Sequence, residues 1–224
     1  MEALRNSRAE FGKMPENILI SRILSGEKEL FEILLRRYNQ TLYRVIRGYL
    51  NNDDDIMDTM QDAYLKAFDK LAQFQGSAAF STWLIRIGIN EALLRLRKQK
   101  RNSTLSMDNS NNAEKYFLQF PDPNKMNPEK ITIGREMLAL IEKAIDQLPE
   151  KYKLIYILKE VEGLDHSAIA ACLDISDNNV KVRLHRAKDM LKNALFEISA
   201  NNISLFEFGN KRCDKIIDFV MGNI

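Results

Sequence analysis

Residues 179–188 read NVKVRLHRAK. Lys181, Arg183, Arg186 and Lys188 are cationic, and His185 sits among them. Val180, Leu184, Ala187 and Leu191 recur at three- and four-residue spacing, so a helix here has one apolar and one cationic face. Such a helix is either solvated or laid on a polyanion. The preceding residues bear on the choice. EGLDHSAIAACLDISD reads as helix, tight turn and the start of a second helix. Asp165 or a neighbour is placed to cap the first helix, Ile169 and Leu173 make its inner face, Ile175 lies in the turn, and Asp177 is placed to cap the second. This is helix-turn-helix spacing, in which the second helix enters the DNA major groove with its N-terminal residues on base edges. At 100° per residue Asn178, Lys181, His185 and Lys192 share the exposed face, and Asn179 opens the same helix. Arg183 and Arg186 flank that face, with Lys188 beyond, where phosphates run. Val182 is also expected to be exposed, and a thymine methyl suits it.

A second constellation lies upstream. FSTWLIRIGINEALLRLRKQKR ends with Arg95, Arg97, Lys98, Lys100 and Arg101, five cations in seven residues with no acid. Such a run tracks phosphates, or complements the dipole at a helix C-terminus. The single tryptophan, Trp83, precedes it beside Ser81, Thr82, Arg86 and Asn90. Trp83 is either core or a platform for exposed bases. The helix before carries the opposite charge: Asp53, Asp54, Asp55, Asp58 and Asp62, with Gln61. An acidic face repels DNA and meets either a basic protein surface or water.

Elements must position these groups. Apolar residues recur at three and four throughout and rarely at two, so the chain is all-α. Helices are expected at about 16–25, 27–50, 54–73 and 79–100, with Ser81 or a neighbour capping the last. Residues 102–130 are rich in Asn and Ser and hold Pro121, Pro123 and Pro128, the composition of a flexible linker. Helical pattern returns near 131, with Pro149 opening one helix. The reading is two helical domains on a flexible arm. Cys213, Ile216, Ile217 and Val220 add the stripe of a short C-terminal helix.

Composition narrows the classes. The chain has 224 residues, is 45% hydrophobic and 29% charged, and carries a formal charge of +2. Its charge is therefore local rather than global. Two cysteines without metal-ligand spacing point to a reducing setting. No signal-peptide pattern opens the sequence, and no stretch approaches the roughly 20 apolar residues of a membrane span. The expectation is a soluble cytoplasmic protein without membrane insertion.

DDIMDTMQDAYLKAFDKLAQF, FSTWLIRIGINEALLRLRKQKR and LPEKYKLIYILKEVEGLDHSAIAACLDISDNNVKVRLHRAK follow in this order across the linker. Together they resemble an extracytoplasmic-function (ECF) sigma factor of bacterial RNA polymerase over about residues 20–195. The resemblance implies sigma region 2 at 1–101, a linker at 102–132, region 4 at 133–197 and an extension at 198–224. It implies core polymerase docking by Asp58, Gln61, Asp62 and Phe68. It places the minus-ten element against Ser81, Thr82, Trp83, Arg86, Asn90, Arg97, Lys98 and Arg101. It places the minus-thirty-five element against Asn178, Asn179, Lys181, Val182, Arg183, His185, Arg186 and Lys188. The partners implied are core RNA polymerase, promoter DNA in double- and single-stranded form, and an anti-sigma factor. No cofactor, metal or catalytic residue is expected.

Two other classes compete. A helix-turn-helix regulator that never joins polymerase leaves the acidic helix, Trp83 and the basic run without a role. A nucleic-acid enzyme lacks a phosphate-cradling Gly-rich loop, and His166 and His185 are the only histidines. The Asp53–Asp62 cluster is the remaining metal candidate, but residues 53–55 are sequential and point in different directions.

Overall fold

The computed structural model describes residues 14–103 and 128–200. Among these residues every regular element is helical. The first group holds α1 (Glu16–Leu24), α2 (Phe31–Arg47), α3 (Asp53–Asp69) and α4 (Phe80–Ser103). A 3₁₀ turn at Lys28–Leu30 leads into α2, and another at Leu71–Gln73 follows α3. Local chemistry explains the start of α3. The Asn52 side chain accepts a hydrogen bond from the Asp55 backbone N–H at 3.0 Å, and Asp53, Asp54 and Asp55 occupy the first turn. Carboxylates there complement the exposed N–H groups of the helix.

Leu42 and Ile46 of α2, Ile56 and Ala63 of α3, and Phe80 and Leu84 of α4 share one core, which α1 closes with Leu19, Ile20 and Ile23. Gly88 sets the closeness of α2 and α4, since a Cβ there would stand 2.5 Å from Leu42 Cδ1. The helix α4 begins at Phe80, and Ser81 lies inside its first turn rather than capping it. Phe80 is 1% exposed, and its burial draws the helix start one residue upstream of the hydroxyl.

The second group holds α5 (Pro128–Asp146), α6 (Glu150–Tyr156), a π-helical turn at Ile157–Val161, α7 (His166–Leu173) and α8 (Asp177–Ala200). Two ends fall inside the segment read as linker, because α4 runs to Ser103 and α5 starts at Pro128. The Cys213–Val220 stripe lies outside the described residues. Asp165 caps α7 as expected, accepting from the Ala168 N–H at 2.7 Å. The cap of α8 is Ser176, one residue before the Asp177 that the sequence suggests. Ser176 Oγ accepts from the Asn179 N–H at 3.3 Å. The reason is the tightness of the turn. Asp174 takes a left-handed conformation (φ 53°) and ends α7, while Ile175 packs against the core. Ser176 alone remains to enter α8, and Asp177 becomes its first helical residue, where a carboxylate suits the dipole.

The two groups share a core. Val45 of α2 and Ile85 and Ile89 of α4 pack with Ile155, Leu158, Ile169, Ala170, Cys172, Val180 and Leu184. Each such aliphatic side chain contributes roughly 1.5–3 kcal/mol when fully buried rather than exposed. Gly48, just after α2, sits so close to α6 that a Cβ would stand 2.6 Å from Leu154 Cδ2. Polar contacts ring the apolar centre. Arg47 donates to both carboxylate oxygens of Asp146, at 2.9 and 2.8 Å. Arg44 donates to Glu162 at 2.9 Å and the Thr41 hydroxyl donates to its other oxygen at 2.6 Å. The π-helical turn explains Glu162, which follows it directly and whose own N–H bonds back to Ile157 O at 3.0 Å. The Cys172 thiol approaches the carbonyl of Thr82 at 3.5 Å.

Candidate nucleic-acid interface

The α8 helix is built outward from its buried stripe. Val180 and Ala187 are fully buried and Leu184 and Leu191 nearly so, which fixes the rotation of the helix. Asn178, Lys181, His185 and Lys192 are then all exposed, as their spacing requires. Val182 is 43% exposed, a large apolar side chain in a polar row. Asn179 and Arg183 are half-buried at the edge of the row. The structure separates the remaining cations. Arg186 hydrogen-bonds to the Tyr152 hydroxyl, whose pKa it holds below the usual tyrosine range. Lys188 pairs with Glu160 at 2.9 Å, and His185 Nδ1 lies 3.0 Å from Asp189. The row thus carries Lys181 and Val182 at its centre with Arg183, Arg186 and Lys188 along its edges, a layout that suits base contact flanked by phosphate contact.

On α4, Arg86, Asn90, Arg97, Lys98 and Arg101 are exposed, while Ser81 and Thr82 are half-buried. Trp83 is half-buried in an aromatic group with Phe74 and Phe80, its ring tilted against theirs with centres 5.4 and 5.5 Å away. The five-cation run does not act as one patch. Arg95 turns back to α3, donating to Asp55 at 2.6 and 2.9 Å and to Asp58 at 2.9 Å, and Gln99 joins Asp55 at 2.7 Å. The acids at the start of α3 are therefore partly neutralised from within.

The rest of α3 faces outward. Gln61 and Asp62 are exposed, and Asp58 keeps a side-chain exposure of 57% beside Arg95. Phe68 is half-buried and meets Phe31 edge to face at 5.1 Å, so its ring serves the core as well as the surface. Sequence reasoning did not single out Leu65, which is 67% exposed on the same face as Met57 at 52%. Spacing was the available signal, since residues 57, 58, 61, 62 and 65 share one helical side. Among the described residues no group of three or more His, Cys, Asp or Glu side chains is arranged to hold a metal ion.

Comparison with known proteins decides the family. The family model for sigma-70 region 2 matches residues 34–102, and that for sigma-70 region 4 matches residues 138–191. The ECF RNA polymerase sigma-E factor of Haemophilus influenzae is 30% identical over 183 residues, covering 82% of this chain and 96% of that protein. This chain is an ECF sigma factor. The ECF RNA polymerase sigma-E factor of Escherichia coli K12 is 29% identical over 181 residues, covering 81% of this chain and 94% of its own. Two solved structures share the fold. CnrH in complex with the cytosolic domain of CnrY has a TM-score of 0.55 at 22% identity, covering 80% of this chain and 96% of that one. The sigma factor RpoE of Bartonella quintana, in complex with the anti-sigma factor NepR, has a TM-score of 0.58 at 22% identity, covering 74% and 96%.

The sigma factor binds core RNA polymerase and promoter DNA and directs promoter recognition and transcription initiation. It is an initiation factor and not an enzyme. The rival of a regulator that never joins polymerase is set aside by the region 2 match, which takes in α3 and α4. No helix among the described residues of the sigma factor is long and apolar enough to cross a membrane.

Proposed function

We propose that this sigma factor divides promoter initiation among three surfaces. The outer face of α3 docks on core polymerase through Asp58, Gln61, Asp62 and Phe68. The α4 helix holds the minus-ten element through Ser81, Thr82, Trp83, Arg86 and Asn90, with Arg97, Lys98 and Arg101 on phosphates. The α8 helix reads the minus-thirty-five element with Asn178, Asn179, Lys181, Val182 and His185, while Arg183, Arg186 and Lys188 meet the backbone. Region 2 then corresponds to residues 1–101 and region 4 to 133–197, with 102–132 as linker and 198–224 as extension. The protein acts in the cytoplasm and is held in check by an anti-sigma factor, as the similar Bartonella complex suggests by its partner.

One observation carries this reading. The exposed row of α8 places Val182 and Lys181 side by side above a fully buried Val180, so the helix offers base-reading chemistry from a rigid support. Run-off transcription with added core polymerase on a promoter library tests the whole assignment. Asp62→Arg should abolish core binding and transcripts together, while stability changes by only about ±0.5 kcal/mol because the residue is exposed. Unchanged affinity for core would remove α3 from the docking surface.

A further inference from the structure

The apolar stripe of α5 outruns its cover. Ala144 is fully buried and Leu148 is 4% exposed, and they make a small core with Leu191 of α8, against which Ile145, Ala194 and Leu195 pack. One turn towards the start of α5, Leu140 and Ile141 are only half-buried. A further turn back, at nearly the same helical phase as Ala144, Met137 is 56% exposed, with Leu138 at the stripe's edge 42% exposed. The α8 helix changes in the same way. Leu191 is 7% exposed, Ala194 and Leu195 one turn on are half-buried, and Met190 at the edge of the stripe is 36% exposed. Single exposed apolar side chains are ordinary. A core stripe that runs out into solvent on two packed helices is a surface without a partner.

The chain itself supplies a matching element. The family model for region 4 ends at residue 191, whereas the sequence runs to 224. Cys213, Ile216, Ile217 and Val220 recur at helical spacing, and Asp214, Lys215 and Asp218 fall on the opposite side. A helix this short is marginal alone in water, so its stripe needs a surface to bury against. We infer that residues 213–221 fold back as an amphipathic helix on the apolar surface that α5 and α8 leave open, with the Cys213–Val220 stripe over Met137, and so extend the core of region 4. The dimensions agree. A helix over 213–221 is about 13 Å long, and Met137 to Ala144 spans about 10 Å. Residues 201–212 reach up to about 40 Å when extended, against about 15 Å of helix from Met190 to Ala200, so the chain can return. Gly209 and Asn210 supply a turn signal within that connection. Tethering favours this occupant over a second copy, because a short flexible link holds the segment at an effective concentration in the mM range. The promoter row stays open, since Lys181, Val182 and His185 lie on the side of α8 away from the Leu191 stripe.

Cys213 lies in the stripe and reports its burial. The full-length chain is treated with a thiol-alkylating reagent, and mass spectrometry reads the rate at Cys213 apart from that at Cys172. A synthetic peptide of residues 201–224 gives the rate of the undocked segment. Cys213 in the full chain should react on the order of tenfold more slowly than in the peptide. Met137→Asp and, separately, Ile217→Asp should each restore the peptide rate. Leu24→Asp, at a leucine of α1 that is 52% exposed, should leave the protection intact. Unchanged binding of Met137→Asp to an upstream-element duplex shows that region 4 remains folded, and Ile217→Asp gives the same reading without touching α5. Equal rates in chain and peptide overturn the inference. Protection that survives Met137→Asp or Ile217→Asp, or that is lost in Leu24→Asp, overturns the assigned surface. Protection that fades on dilution overturns the fold-back and assigns the stripe to a second copy of the chain.

Discussion

On the proposed reading, single side chains on α8 divide base reading from phosphate positioning. Lys181 is exposed in the centre of the row, beside Val182, whereas Arg186 leans on Tyr152 at its edge. Replacing Lys181 with Ala should cost about 1–3 kcal/mol on the preferred upstream element and little on scrambled duplex. Arg186→Ala should weaken both duplexes alike and lower the salt slope by roughly one unit. A salt series on the two duplexes distinguishes them. Equal losses from both variants on both duplexes would mean that α8 only positions the protein. Cys172 shows the reverse situation. Burial pushes its thiol up to about 11, with Arg86 pulling weakly the other way, so it is an unreactive thiol at neutral pH while the domains stay docked.

At the scale of elements, helix ends carry much of the specification. The α7 cap is complete, with the Asp165 carboxylate accepting from the Ala168 N–H and the Ser167 hydroxyl. Those bonds hold its pKa below the usual aspartate range. Asp165→Ala should lower stability by about 1 kcal/mol, read as a shift in urea midpoint at constant slope. Asn52→Ala at the start of α3 should behave alike. A midpoint unchanged by both would show that packing alone sets these helix starts. The π-helical turn after α6 is a different device. It lengthens the path by one residue per turn and delivers Glu162 to α2 rather than to solvent, where its side chain is 7% exposed.

For the whole molecule, pH reaches the domain interface through Asp146. Burial by itself raises its carboxyl, but the hydrogen bonds from Arg47 and the charges of Arg47 and Lys153 outweigh that, leaving the pKa below the ordinary aspartate value. Arg47 approaches from α2 with Tyr43 and Glu142 beside it, and Lys153 approaches from α6. A depressed carboxylate contributes its stabilisation above the ordinary value of about 3.9, and loses it as pH falls through the lower docked value. Scattering should therefore show expansion below about pH 4 before helical circular dichroism is lost. Asp146→Asn should already be expanded at pH 7. A single acid transition, the same in both proteins, would refute this role.

The amino-acid sequence by itself determined the helices, the helix-turn-helix and the exposed row of α8, because these follow from spacing within a few residues. Val180, Leu184, Ala187 and Leu191 fix the rotation of α8 whatever lies opposite. The sequence also placed the capping near Asp165, since a cap bonds only three residues ahead. Tertiary structure decided where the charges went. Arg95 reads as one of five phosphate-seeking cations, yet it closes on Asp55 and Asp58, 40 and 37 residues away. Arg47 and Asp146, Arg44 and Glu162, and Cys172 and Thr82 carry no local signal at all, because a surface ion is equally compatible with water and with a distant partner. The same holds for Gly48, whose missing Cβ has meaning only once Leu154 is packed against it. Periodicity encodes the face that a helix buries; which other helix buries it is settled by long-range packing, and here that packing joins two domains the sequence shows only as separate.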